Sequence, residues 1–274
     1  MSAADPALGA GYEDPPTRVG FFTDTSVCIG CKACEVACKE WNGVPAGDLD
    51  LLGTSYDNTG GLGADTWRHV AFIEQRRPPG TEAGSGELRW LMSSDVCKHC
   101  TRAACLDVCP TGALFRTELG TVVVQEDVCN GCGYCIPACP YGVIDQRRDD
   151  GRAWKCTLCY DRLRDHTEPA CAMACPTDSI QFGPLDELRR RAGRRLEHLH
   201  DLGVEDARLY GHDEADGVGG AGAFFLLLDR PEVYVLPPDP VVGTGELPRM
   251  WAAAGAAAPT LVASAVAAFA GGRR

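Results

Sequence analysis

Residues 129–140 read Cys129-Asn-Gly-Cys132-Gly-Tyr-Cys135-Ile-Pro-Ala-Cys139-Pro140. Three cysteines spaced by two residues, then a fourth after three more and a proline, suit a tight loop folded around a cube of iron and sulfide. Three thiolates of such a run reach three irons of one cube. The fourth is expected to open a helix that leads away, so that it ligates a neighbouring cube. The proline fixes φ near the helical value where no amide donor is needed. Gly131 and Gly133 allow the backbone close to the sulfides and leave amides free to donate to them.

The same pattern recurs on both sides. All 16 cysteines fall into four groups of four. The first is Cys28-x2-Cys31-x2-Cys34-x3-Cys38, with Gly30 inside it. The second is Cys97-x2-Cys100-x4-Cys105-x3-Cys109-Pro110, and the third is the run quoted above. The fourth is Cys156-x2-Cys159-x11-Cys171-x3-Cys175-Pro176. Zinc sites join two distant cysteine pairs around one tetrahedral ion, and three cysteines within seven residues suit a cube better. No triplet has the C-x3-C-x2-C spacing of a radical S-adenosylmethionine site, and no Cys-x2-Cys-His attaches haem.

Because the fourth cysteine serves a neighbour, the groups must pair. The second and third are adjacent and form one two-cluster unit; the first and fourth, separated by it, form the other. The expected ligand sets are Cys28, Cys31 and Cys34 with Cys175; Cys156, Cys159 and Cys171 with Cys38; Cys97, Cys100 and Cys105 with Cys139; and Cys129, Cys132 and Cys135 with Cys109. The expected cofactors are therefore four [4Fe–4S] clusters. The expected fold is α+β: two interleaved bacterial-ferredoxin-like units, one inserted in the other, with a C-terminal helix and strand extension.

The chain has 274 residues, 45% of them hydrophobic, and a net charge of -12. That charge argues against nucleic acid as a partner, since phosphate binding needs a basic surface. Four oxidised clusters with their thiolates would take the total to roughly -20. Arg102, Arg147, Arg148, Arg152, Lys155, Arg162 and Arg164 fall among the cysteine groups and fit that need; the alternative is a set of solvated surface charges. The stretch 1–17 is polar, lacks the basic and apolar regions of a secretory signal, and reads as a disordered or loosely docked arm. Disulfides are accordingly the weaker reading of the cysteines.

Between the first two groups, 48–63 is loop-like, and 68–74 with 87–92 read as a short strand pair. The stretch 119–125 reads as a similar strand. After the last group Pro184 opens a helix whose Leu185, Leu188, Ala192, Leu196, Leu199 and Leu202 share one face, with acids in its first turn and Gly203 as its stop. The stretches 223–228 and 232–236 read as a strand pair turning at Asp229-Arg230-Pro231. Gly217-Val-Gly219-Gly-Ala-Gly222 matches a dinucleotide fingerprint but lacks the strand before it and the helix after it, so it reads as a loop. The stretch 250–272 is uncharged and long enough to span a bilayer, yet mostly Ala and Gly around Pro259. A membrane anchor and a partner-docked or disordered tail both stay open.

The run from Cys28 to Trp41-Asn42 resembles the first cluster motif of formate dehydrogenase beta subunits. So do Lys155-Cys-Thr-Leu-Cys-Tyr-Asp-Arg162 and Glu168-Pro-Ala-Cys171 through Cys175-Pro-Thr. The post-cluster stretch is also similar, with Tyr210, Gly217-Val-Gly-Gly and Leu236-Pro-Pro-Asp-Pro240, and it favours formate over other molybdopterin oxidoreductases that share the cluster motifs. The resemblance implies an electron-transfer subunit with no catalytic residues of its own. It implies a molybdopterin-containing formate dehydrogenase alpha subunit as partner, with molybdenum or tungsten. A membrane cytochrome b or quinone-reactive gamma subunit is the implied acceptor. It also implies membrane association, on the extracytoplasmic side by export with the partner, with a cytoplasmic location as the alternative. The competing readings are the iron–sulfur subunit of a sulfoxide, polysulfide or tetrathionate reductase, and a freestanding polyferredoxin. The implied division is an N-terminal arm 1–20; unit A 21–96 and 141–183, with the insertion 39–96; unit B 97–140; a partner-docking extension 184–249; and an apolar tail 250–274. His99, between Cys97 and Cys100, is expected to face solvent, the alternative being a hydrogen bond that tunes a cluster. Tyr134 is expected to pack over its cluster and exclude water.

Overall fold

The computed structural model describes residues 5–47, 53, 56–57, 59–76 and 88–271. The described chain enters through α1 (Pro6–Gly9), capped by Asp5, whose carboxylate accepts the Ala7 N–H at 2.9 Å. Ala7 is fully buried, and Tyr12 Oη donates to the Arg116 carbonyl at 3.3 Å. Of the stretch expected to be a disordered or loosely docked arm, residues 5–12 dock through a short turn, folded by the aspartate cap and the proline, that buries its alanine.

β1 (Val19–Asp24) leads into the first cysteine group and α2 (Ala33–Asn42), which stops where Gly43 takes a left-handed φ of 57°. β2 (Arg68–Arg76) and β3 (Leu88–Val96) pair antiparallel, from Arg68 opposite Val96 to Arg76 opposite Leu88. Residue 87 of the expected second strand, and 48–52, 54–55 and 58 of the expected loop, lie outside the described residues. Short elements then surround the remaining cysteines: α3 (Ala104–Asp107), β4 (Leu114–Arg116), β5 (Val122–Val124), α4 (Cys135–Ala138), β6 (Asp145–Gln146), β7 (Ala153–Trp154), α5 (Tyr160–Arg164) and α6 (Ala170–Met173). The strand expected over 119–125 shrinks to β5, because Gly120, at φ 77°, turns the chain back onto β4.

β8 (Ile180–Pro184) passes directly into α7 (Leu185–Asp201). With β9 (Arg208–Tyr210) and β10 (Ala223–Leu227) the chain completes a four-stranded sheet in the order β8-β1-β10-β9. β10 runs parallel to β1, whereas β8 and β9 are antiparallel to their neighbours. The two central strands divide the molecule. Phe22, Phe224 and Leu226 face α7, which covers them with Leu185, Leu188, Ala192 and Leu199. Phe21, Phe225 and Leu227 point the other way, into the core that contains the cysteines. This is the period-two alternation of a strand, and cover on both faces explains the unbroken apolar run of β10. Leu202 leaves the helix face, ending α7 at 65% exposure.

The second strand expected over 232–236 is instead a 3-10 turn, Pro231–Tyr234. Proline has no N–H for a ladder and is pre-set for a first helical position, and Val235 follows at φ 58°, outside strand geometry. β9 takes the place beside β10. α8 (Leu247–Gly271) closes the described chain; its segment Arg249–Ala270 has a mean hydropathy of 1.6 and is 0% buried, long and apolar enough to cross a membrane by length and composition.

Candidate cluster-binding sites

The four cysteine groups share one local design, which differs from the expected one. The third cysteine, not the fourth, sits in the first turn of a helix: Cys34 in α2, Cys105 in α3, Cys135 in α4 and Cys171 in α6. The fourth lies one turn on. The prolines after it start a reverse turn instead of a helix. The Gly112 and Gly142 N–H groups return to the Cys109 and Cys139 carbonyls at 3.4 and 3.2 Å. Proline's fixed φ suits the second position of such a turn as well as it suits a helix start. Gly30 and Gly131 have φ of 66° and 71°, and a Cβ there would come within 2.6 Å of Phe72 and 2.4 Å of the Gly151 carbonyl.

Cys97, Cys100 and Cys105 line one cavity together with Cys139, closed by Val122, Val143 and Ile144. Cys28, Cys31 and Cys34 line a second with Cys175, beside Val70, Ser94 and Ile180. Cys38 lies among Cys156, Cys171 and Cys159, near enough for each to act on its thiol electrostatically. Cys135 stands in the same relation to Cys129, Cys132 and Cys109. Among the described residues no three His, Cys, Asp or Glu side chains converge on a point that one metal ion would fill.

Burial disfavours the thiolate at several of these cysteines, Cys34, Cys38, Cys100 and Cys171 among them. Burial first, with neighbouring cysteines adding to it, pushes Cys105 and Cys156 up to about 12 and Cys135 up to about 11. Cys109 departs from this: burial would raise it, but the Leu114 N–H, the Thr111 hydroxyl and other backbone amides hold it below the ordinary thiol value. Four thiols gathered around one cavity become thiolates together only with a strong cationic centre among them, and this donor set therefore fits iron. Donors to the sulfurs are already in place. Leu158 N–H donates to Cys156 Sγ at 3.3 Å and Ala153 N–H to Cys129 Sγ at 3.4 Å. Ser94 Oγ lies 3.2 Å from Cys34 Sγ. Asn42 Nδ2 reaches both Cys38 Sγ and Cys159 Sγ, and Trp41 Nε1 donates to Asp161, so the Trp-Asn pair ties the first group to the fourth.

Of the cations expected near the clusters, Lys155 and Arg162 are buried, Arg147 and Arg152 are half-buried, and Arg102, Arg148 and Arg164 are exposed. Lys155 Nζ is held by the carbonyls of Val122 and Cys156. Three buried cations escaped the sequence reading. Lys98 pairs with Asp95 and faces the rings of Tyr141 and Phe225; Arg116 donates to the carbonyls of Cys100, Thr101 and Gly120; and Arg68 is 1% exposed. The signal for Arg68 was its place in β2: it shares the strand face of buried Val70. His99, expected at the surface, is 1% exposed, and burial followed by the charges of Lys155 and Arg116 holds its pKa well below the ordinary histidine value. Tyr134, expected to shield a cluster, is 62% exposed, because it precedes α4 on the outer side of its loop.

A family profile described as a 4Fe-4S dicluster domain matches residues 88–185, and a second with the same description matches 27–113. The nitrate-inducible formate dehydrogenase iron-sulfur subunit of Escherichia coli is 39% identical over 262 residues, 94% of this chain and 84% of the relative. The chain belongs to the formate dehydrogenase iron–sulfur subunit family. A formate dehydrogenase iron-sulfur subunit of Haemophilus influenzae is 39% identical over 84% of this chain and 72% of its own length. The B subunit of the anaerobic dimethyl sulfoxide reductase of Escherichia coli is 38% identical over 65% of this chain and 78% of its own length. As a member of this family, with 16 cysteines and two dicluster matches, the chain is an electron-transfer subunit that carries four [4Fe–4S] clusters.

Proposed function

We propose that this subunit conducts the electrons of formate oxidation away from a molybdopterin-containing catalytic subunit, through clusters held by the four swapped ligand sets. Cys28, Cys31, Cys34 and Cys175 hold one; Cys156, Cys159, Cys171 and Cys38 the next. Cys97, Cys100, Cys105 and Cys139 hold a third, and Cys129, Cys132, Cys135 and Cys109 the fourth. The observation that carries the reading is the cavity in which Cys97, Cys100 and Cys105 meet Cys139 of the following motif. Swapping makes two interleaved units, 97–140 within 21–96 and 141–183. When bound, each cluster supplies a one-electron carrier. The chain's own residues hold the sulfurs, exclude water with Val122, Val143 and Ile144, and aim amide donors at the thiolates. α8 attaches the complex to the membrane.

Formate is favoured over a sulfoxide by the extension after the last cysteine. The dimethyl sulfoxide reductase relative aligns over 65% of this chain, against 94% for the nitrate-inducible formate relative. The extension is structural, since β10 lies in the central sheet beside β1. Anaerobic purification of the complex should give about sixteen irons per chain and molybdenum or tungsten in the co-eluting subunit. The complex should reduce a viologen dye with formate and should not oxidise that dye with dimethyl sulfoxide. The opposite dye result overturns the substrate; zinc in place of iron overturns the whole reading.

A further inference from the structure

Arg68 begins β2 and is buried to 1% exposure, with its guanidinium 4.9 Å above the Phe21 ring. Nη1 donates to the Ser94 hydroxyl at 3.1 Å and to the Ser94 carbonyl at 3.3 Å. Nε and Nη2 are buried and have no oxygen partner among the described residues, while the Cys171 sulfur is close enough to draw a hydrogen bond from the guanidinium. Among the described residues the guanidinium forms no ion pair with a carboxylate. Arginine keeps its charge in proteins, and burying a charge without an anion is costly, so something negative must stand near it.

The groups around Arg68 say what that is. Burial alone would lower its pKa, but Cys171, Cys34, Cys156 and Cys38 together raise it above the ordinary arginine value. The same guanidinium stabilises the thiolate forms of Cys34, Cys38, Cys156 and Cys171. Ser94, which binds Nη1, is also the hydroxyl beside Cys34 Sγ. Cys34 belongs to one ligand set of the outer pair of groups, and Cys38, Cys156 and Cys171 to the other. A single fixed cation thus acts on thiols of both ligand sets, with Nε and Nη2 free of oxygen partners among the described residues.

We propose that Arg68 is the shared counter-cation of the two clusters held by the first and fourth cysteine groups. It donates from Nε and Nη2 into their sulfur shells and raises both reduction potentials. The proposal rests on the ligand sets given above. A cation and hydrogen bonds to sulfur both favour the reduced, more negative state of a cluster, and burial keeps solvent from screening them. One residue set between two clusters therefore tunes them as a pair.

The test is a redox titration of the anaerobic holo complex, followed by electron paramagnetic resonance, for Arg68→Met and Arg68→Lys. Arg68→Met should lower the equilibrium constant for reduction of both outer clusters about tenfold, about 59 mV for a one-electron couple. The two inner clusters should keep their potentials, and Arg68→Lys should recover part of the shift through its charge. Unchanged potentials with full iron content, or an equal fall in all four, overturn the proposal. If Arg68→Met fails to assemble, the wild-type complex labelled with 15N-arginine replaces it. Hyperfine coupling to 15N on the signals removed by Cys34→Ser and by Cys156→Ser supports the bridge, and its absence from both overturns it. Should those two cysteine variants remove the same signal, the ligand sets fall and the bridge falls with them. Two separate signals without coupling sink the bridge alone.

Discussion

The imidazole Nδ1 of His99 accepts the backbone N–H of Val122 at 3.1 Å, joining the loop between Cys97 and Cys100 to β5. The His99 carbonyl in turn accepts the Gly222 N–H and Arg18 Nη2, both at 3.2 Å. The residue thereby fastens a cysteine loop to the hairpin on one side and to the post-cluster extension on the other. Accepting through Nδ1 puts the proton on Nε2, which is buried and without a partner among the described residues, at a cavity the ring helps to line. His99→Leu leaves the buried Val122 N–H unpaired, a loss of about 1–3 kcal/mol. The thermal midpoint for bleaching of the cluster absorbance should fall by roughly 2–4 °C for each kcal/mol lost. An unchanged midpoint would show that the contact holds nothing together.

Cys139 shares its cavity with Cys97, Cys100 and Cys105, whereas Cys129, Cys132 and Cys135 of its own motif neighbour Cys109. Cys139→Ser should therefore alter the cluster of the second group and spare that of the third. Cys129→Ser should do the reverse. Paramagnetic resonance of the reduced complex separates the cases, and identical spectral losses in the two variants would refute the swapped assignment.

How much of this was legible beforehand follows from what each signal depends on. Cysteine spacing is local and chemical, so the four groups could be read directly from the sequence. The amphipathic face of α7 was equally plain, because one helix buries one stripe against Phe22, Phe224 and Leu226. The partner of β10 was not. Sequence neighbours suggested a hairpin with 232–236, but Pro231 diverts that stretch into a turn, and β10 finds β1, some two hundred residues earlier, in parallel. Buried cations were missed for the opposite reason. Arg68, Lys98 and Arg116 look like surface residues by type, and only the cysteine-lined interior gives their charge a place.

Gly131 combines a positive φ of 71° with a Cβ position 2.4 Å from the Gly151 carbonyl, a backbone atom with no freedom to withdraw. Gly131→Ala should open the loop between Cys129 and Cys132 and release the cluster it carries. Iron content then falls by roughly a quarter, as four of about sixteen atoms. Gly193 is the control: it is helical, with nothing within 4 Å of its Cβ position. Gly193→Ala should keep all the iron and stabilise α7 by about 0.5–1 kcal/mol. Full iron in Gly131→Ala would mean that the loop tolerates a side chain the geometry forbids.

The last helix bears on where the complex sits. Its 22-residue apolar segment Arg249–Ala270 is about 33 Å long at the helical rise, close to the roughly 30 Å of a bilayer's hydrocarbon core. Trp251 stands near its start at 74% exposure, and Leu261, Val262, Val266 and Phe269 are exposed large apolar side chains along it. Thr260 and Ser264 return their hydroxyls to the carbonyls of Ala257 and Thr260, which satisfies polar groups within the helix around Pro259. Removal of residues 249–274 should move the complex from the membrane pellet to the supernatant, with iron content and formate-dependent dye reduction intact. None of the segment is buried against the described residues, so its loss should leave the stability of the cluster body within about 0.5 kcal/mol of the parent. A truncated complex that still sediments with membranes would assign the attachment to a partner subunit instead.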